Sequence, residues 1–197
     1  NTDPRKHDYR TTFEKLVSLT GETLPQEPDL VAWSETAFVP NIRKWGAMDP
    51  DEHRLAELVH DFRSYQREIE TWLVTGNDDY EDVSLPDGST ERNHYNAAVL
   101  LSDEGELKEV YRKVRLVPFT EYFPYEDELP WVHGLLTDFD ARLWEKGERK
   151  VVFSHPKADF CTPICFEDSF PEEIRGFIQN GADLILNLSN DFWSRTK

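Results

Sequence analysis

Apolar residues recur along this chain in two rhythms. Residues 9 to 19 set Phe13, Leu16, Val17 and Leu19 among charged neighbours at the spacing of one helical face, and Gly21 and Pro25 close the segment. Residues 52 to 70 repeat that rhythm, with Leu55, Leu58, Val59, Phe62 and Ile69 on one side of a second amphipathic helix. Elsewhere the apolar residues form short unbroken runs, which suit buried strands. Residues 29 to 33 and 71 to 76 are two of these. The polar stretch from 77 to 93, with Pro86, Asp87 and Gly88, reads as a mobile surface loop.

Hairpin signals follow. Residues 95 to 101 and 107 to 114 flank Asp103-Glu104-Gly105-Glu106. Residues 151 to 153 and 160 to 164 flank His155-Pro156-Lys157. A helix is expected over 172 to 179, stopped by Asn180-Gly181, and a second buried strand over 183 to 188. Strands alternating with helices, with hairpins between, predict an α/β domain with a mixed sheet. No repeat or linker divides the 197 residues, so residues 1–197 are expected to be a single domain.

Composition narrows the function. Lys plus Arg total 22 against 39 Asp plus Glu, a net charge of −17. A nucleic-acid partner demands a basic footprint, and none exists. Simple adhesion to anionic lipid is disfavoured for the same reason. Cys161 and Cys165 are the only cysteines. Four residues apart on a strand, they would stand about 13 Å apart, too far for a disulfide. The six histidines are scattered without metal-ligand spacing, so neither a metal nor a cofactor is expected. No apolar run approaches the ~20 residues of a membrane span, and no signal peptide is visible. The chain opens abruptly on Asn1 and ends straight after a strand, and is expected to be a piece of something longer.

Candidate chemistry centres on Cys165. A strand-like run ends there and a helix is expected soon after, with Ser169 as cap, Pro171 in the first turn and Glu172 and Glu173 at the positive helix end. A thiol at such an elbow is expected to have a lowered pKa and to be nucleophilic. A lone cysteine is more often a small buried hydrophobe. Two other charged groups share its position in the pattern: Glu35 after the run 29 to 33, and Lys113 at the end of a hairpin arm. Asn190 follows the run 183 to 188 in the same way. Open α/β sheets gather their sites at the carboxyl ends of strands, although a single strand-end Glu or Lys is usually a solvated charge.

Taken together, Trp33-Ser34-Glu35-Thr36, Tyr111-Arg112-Lys113-Val114-Arg115-Leu116 and Ile164-Cys165-Phe166-Glu167-Asp168 resemble the Glu-Lys-Cys triad of the nitrilase (carbon–nitrogen hydrolase) superfamily. That resemblance implies a nitrilase-like α-β-β-α sandwich with mixed sheets, incomplete in this chain. It also implies an enzyme: the carboxylate as general base, the ammonium stabilising the oxyanion, and the thiolate forming a thioester. Residues 116 to 124, 95 to 101 and 183 to 193 are further similar to apolipoprotein N-acyltransferases.

This branch implies an acyltransferase of lipoprotein biosynthesis at the bacterial cytoplasmic (inner) membrane, its domain facing the periplasm or outside. The acyl donor would be a phospholipid, the acceptor a diacylglyceryl apolipoprotein, and the membrane would be reached through segments absent here. The branch's extra glutamates match Glu121 and Glu167, and Phe166, Asn190 and Trp193 are expected to support the site or bind substrate. For Glu121 and Glu167, structural hydrogen bonding and a direct catalytic role are equally open. Thr120, Phe166 and Ser194 depart from the family pattern, which has glycine, tyrosine and glycine there. The aromatic stretch 119 to 131 reads either as a lid or membrane-facing flap that admits lipid tails, or as packing of a long loop. Two rivals remain: a soluble amidase or carbamoylase, in which water completes the reaction, and a scaffold without catalysis.

Overall fold

The computed structural model describes residues 8–118, 121–122 and 144–190. Helix α1, Tyr9–Gly21, starts at Asp8, whose carboxylate accepts the Thr11 amide at 3.3 Å. It buries Phe13 and Thr20. Strand β1 is Leu30–Ala32. A single turn, α2 (Ile42–Trp45), follows the Asn41 cap, which accepts the Lys44 amide at 2.8 Å. Helix α3, Arg54–Glu68, buries Leu58, Val59 and Phe62 as its period predicts. Gln66 is buried on the same helix, and its side-chain amide donates to the carbonyls of Thr71 and Ser102.

Strands β2 (Trp72–Ser84), β3 (Thr90–Leu101) and β4 (Leu107–Arg112) complete a sheet in the order β1-β2-β3-β4. β1 runs parallel to β2, and the other neighbours are antiparallel. Period-two alternation divides its apolar residues between two cores. Leu73, Val99 and Leu101 meet α1 and α3 through Phe13, Trp33, Phe38 and Phe62. Phe38 and Phe62 stack with centroids 4.5 Å apart. Val74, Ala98 and Leu100 face the other way, onto Tyr111, Phe153, Phe160, Cys161 and Phe177. Behind that second core lie β5 (Phe160–Cys161) paired in parallel with β6 (Leu184–Ile185), and α4 (Pro171–Gln179). Helices, mixed sheet, second sheet and helix form the expected α-β-β-α arrangement, with the sheet open. Each core phenylalanine contributes on the order of 3–5 kcal/mol against truncation to alanine.

Four expectations are corrected. Residues 77 to 93 are not a loop: most extend β2 and β3, which stay in register from Leu73↔Leu101 to Ser84↔Thr90. Cross-strand polar pairs support this ribbon where apolar burial ends, with Arg92 on Asp82 at 2.7 Å and Tyr95 Oη on Glu81 at 2.8 Å. The run 160 to 164 is a strand only at Phe160–Cys161, because Pro163 has no amide to give; a single bridge joins Ile164 to Leu188. Leu184 and Ile185 are 57% and 47% exposed rather than buried, while Ala182 and Leu188 fill the core. Ser169 does not cap α4: Phe170 holds that position without a side-chain bond, and Pro171 opens the helix. The hairpin across 155 to 157 closes as expected, Phe153 and Phe160 exchanging both amide bonds.

Candidate active site

Glu35 lies just beyond β1, where the chain leaves the sheet but stays close to β2. Trp33 still donates to Val74 at 2.8 Å and Gly76 to Ser34 at 3.3 Å. The approach requires glycine at 76, since a Cβ there would stand 2.7 Å from Glu35 Cα. Glu35 is nearly buried. Its Oε1 accepts Asn96 Nδ2 at 2.8 Å, and its Oε2 accepts the Asn190 amide at 3.2 Å.

Lys113 is the first residue after β4, and its side chain is fully buried. Its amide donates to the Asn96 carbonyl at 2.8 Å. The ammonium stands 2.8 Å from Glu121 Oε1, 3.7 Å from Glu35 Oε1 and 5.4 Å from the centre of the Phe166 ring. A buried ammonium is tolerable only with such partners. Glu121 is fixed in turn: its Oε2 accepts the Val117 amide at 2.8 Å, and its own amide donates to the Val117 carbonyl at 2.9 Å. Asn96 Nδ2 also reaches Glu121 Oε1 at 3.3 Å, so one amide group touches both carboxylates.

Cys165 opens a 3-10 turn, Cys165–Ser169, with φ of +56°, a left-handed conformation uncommon away from glycine. Leu188 accepts its amide at 2.8 Å, and Asn187 Nδ2 donates to its carbonyl at 3.0 Å. Glu167 binds the turn from behind. Its buried carboxylate accepts the amides of Ile164, Val114 and Arg115 at 2.8, 2.8 and 2.9 Å, and the Tyr111 hydroxyl at 2.9 Å. One carboxylate thereby ties the cysteine turn to the chain after Lys113. Burial pushes the Glu167 pKa up against those four donors.

The Cys165 thiol corrects the expectation of a lowered pKa. Burial first, then the Glu35 carboxylate, hold its pKa above the ordinary value, while Lys113 and the Phe166 amide pull it down. That balance favours the thiol over the thiolate. Cys161, packed in the second core, is pushed by burial to about 11. Both cysteines are free.

Glu35, Lys113 and Glu121 therefore form one hydrogen-bonded cluster whose charges act on Cys165. Asn190 joins through Glu35, and Phe166 through its ring beneath Lys113. Glu167 serves the backbone. Trp193, Thr120 and Ser194 lie outside the described residues, as does most of the aromatic stretch 119 to 131. Asn96 and Asn187 are the site residues that sequence reasoning missed. Asn96 carried a signal, since an asparagine beginning an apolar strand run must find partners once buried. Among the described residues no group of side chains could hold a metal ion, and no helix is long and apolar enough to cross a membrane.

The chain is similar to apolipoprotein N-acyltransferase 1 of Treponema pallidum (strain Nichols), 39% identical over 205 residues, covering 100% of this chain and 37% of that protein. It is also similar to the apolipoprotein N-acyltransferase of Chlorobaculum tepidum, 30% identical, covering 94% of this chain and 36% of the relative. The chain thus spans little more than a third of the length of these curated relatives. In fold it resembles a mutant of the Nesterenkonia AN1 amidase from the nitrilase superfamily, with a TM-score of 0.61 at 18% identity, covering 95% of this chain and 63% of the amidase. The carbon–nitrogen hydrolase model matches residues 2–197, and the chain belongs to that family of enzymes.

Proposed function

We propose that residues 1–197 are one catalytic domain of an apolipoprotein N-acyltransferase, with Glu35, Lys113 and Cys165 as its catalytic residues. The observation that carries this reading is the buried Glu35–Lys113–Glu121 cluster acting on the Cys165 thiol. The names of the relatives support an apolipoprotein acceptor and transfer of an acyl group to nitrogen; the acyl donor proposed here is a phospholipid. The reaction would take place at the bacterial cytoplasmic membrane, on its outer side, with membrane attachment through segments outside residues 1–197.

Because the resting sulfur is protonated, activation needs a base rather than a standing thiolate. Glu35 takes the thiol proton as Sγ attacks the ester carbonyl of the phospholipid and the C–S bond forms. The oxyanion is stabilised by the Lys113 ammonium and the Phe166 amide. The C–O bond then breaks, Glu35 returns the proton to the departing glycerol oxygen, and lysophospholipid leaves a thioester on Cys165. The free amine of the acceptor attacks that thioester in the second half-reaction. Glu35 accepts a proton from the amine, the C–N bond forms, the C–S bond breaks, and the sulfur is reprotonated. Glu121 holds Lys113 so that Glu35 stays available as base. Phe166 provides its amide and a ring surface under Lys113, without a hydroxyl.

The test incubates the full-length protein with phospholipid and no acceptor. A hydroxylamine-labile acyl group on Cys165, discharged by a diacylglyceryl peptide, is the expected result, because the first half-reaction does not need the second substrate. Rapid hydrolysis of simple amides with no lipid thioester would assign the site to an amidase instead.

A further inference from the structure

We propose that residues 144–147 form a strap that sets the position of Lys113 and Glu121, with Gly147 as its positioning residue. This rests on the reading of Lys113 given above. Three backbone amides of the strap donate to two cluster residues and to strand β3. Trp144 donates to the Glu121 carbonyl at 2.8 Å, Glu145 to the His94 carbonyl at 2.6 Å, and Gly147 to the Lys113 carbonyl at 2.8 Å. Lys113 lies one residue beyond the end of β4, and its amide makes a last bond to β3. Asn96 takes its amide on one side, and Gly147 satisfies its carbonyl on the other. Lys113 and Glu121 are thus both held through their carbonyls by one short segment.

Gly147 is required by space, not by conformation. It is buried, and its φ is not in the left-handed region. A Cβ at 147 would stand 2.7 Å from the Arg112 carbonyl carbon and 2.9 Å from Arg112 Cβ, and closer still to the Arg112 oxygen. These are backbone and near-backbone atoms that cannot swing aside. The added methyl must lift the strap, and lifting it lengthens the bonds to Lys113 and, through the chain, to His94 and Glu121. The ammonium then loses its fixed place between Glu121 and Glu35. Lys113 is one of the two groups that pull the Cys165 pKa down, so a displaced Lys113 leaves the thiol harder to ionise.

The test measures the pH dependence of Cys165 alkylation by iodoacetamide, read by mass spectrometry of the Cys165 peptide in the full-length protein. Gly147→Ala is expected to move the midpoint to higher pH, in the same direction as Lys113→Ala, and to lower kcat about 10- to 100-fold, the scale for a reacting group misplaced by about 1 Å. Gly21→Ala is the control, since nothing lies within 4 Å of a Cβ there. A merely destabilised protein would show a lower unfolding temperature with the midpoint unmoved, and that outcome overturns the strap. If Gly147→Ala does not fold, Glu145→Pro removes the donor to His94 without adding an atom beside Arg112, and the same shift is expected of it. A shift in Lys113→Ala but in neither strap variant rejects this inference and leaves the function reading standing. No shift in any of the three rejects both.

Discussion

Lys113 is hydrogen-bonded to Glu121 and only near Glu35, the ammonium standing 2.8 Å from the first carboxylate and 3.7 Å from the second. The stronger contact belongs to the residue that is not the proposed base. Glu121→Gln removes the charge that draws the ammonium aside, and Lys113 then closes on Glu35 and blocks its lone pairs. Thioester formation is expected to slow about 10- to 100-fold. Glu35→Gln, which removes the base itself, is expected to cost about 10²- to 10⁴-fold. Single-turnover rates with phospholipid check both, and a wild-type rate in Glu121→Gln would sink this division of labour.

The two cysteines are expected to separate cleanly. Cys165→Ser abolishes turnover, because a hydroxyl is a far weaker nucleophile beside the same carboxylate. Cys161→Ala keeps the thioester on Cys165. Digestion and mass spectrometry locate the adduct, and an acyl group on Cys161 would return Cys165 to the status of a packing residue.

Cys161 also predicts a pH effect on stability. The folded chain holds its thiol proton up to about 11, above the ordinary 9.0. Its contribution is therefore complete below pH 9.0 and lost as the pH rises through about 11. Urea unfolding of wild type and Cys161→Ala should show their stability difference shrinking by on the order of 2 kcal/mol between about pH 8 and 11. A difference that stays constant over that range contradicts the burial of the thiol.

Glu167 predicts a loss of structure at the turn. Glu167→Gln keeps one acceptor oxygen where two now serve four donors, and it turns an N–H₂ group toward backbone amides. The expected loss is about 1–3 kcal/mol in unfolding free energy, with slower alkylation of Cys165. An unchanged unfolding midpoint would show that the turn does not depend on this carboxylate.

Asn187→Ala tests the left-handed turn from its other side. It removes the donor to the Cys165 carbonyl at 3.0 Å and the contact with Asp168 at 2.8 Å. About 1 kcal/mol of stability should be lost, with kcat falling more than KM rises. A pure KM effect would place Asn187 at the substrate rather than behind the nucleophile.

The apolar rhythm made α1, α3, β1 and the β3–β4 hairpin legible, because their burial repeats locally along the chain. The outer half of the β2–β3 ribbon was not legible. Its support lies in pairs such as Arg92 with Asp82, which are polar and read one residue at a time as loop. Strand ends pointed to Glu35, Lys113 and Cys165 because a topology rule places sites there. Asn96 escaped because its partner Glu35 is 61 residues away and only the fold joins them. The sign of the thiol's pKa escaped for a different reason: burial and two charges of opposite sign compete, and their balance depends on depth in the fold.

The left-handed backbone at Cys165 sets this residue against its own surroundings. A side chain in that conformation costs about 1–2 kcal/mol relative to glycine, with asparagine between them. Cys165→Gly would thus relieve backbone strain in the same stroke that removes the nucleophile.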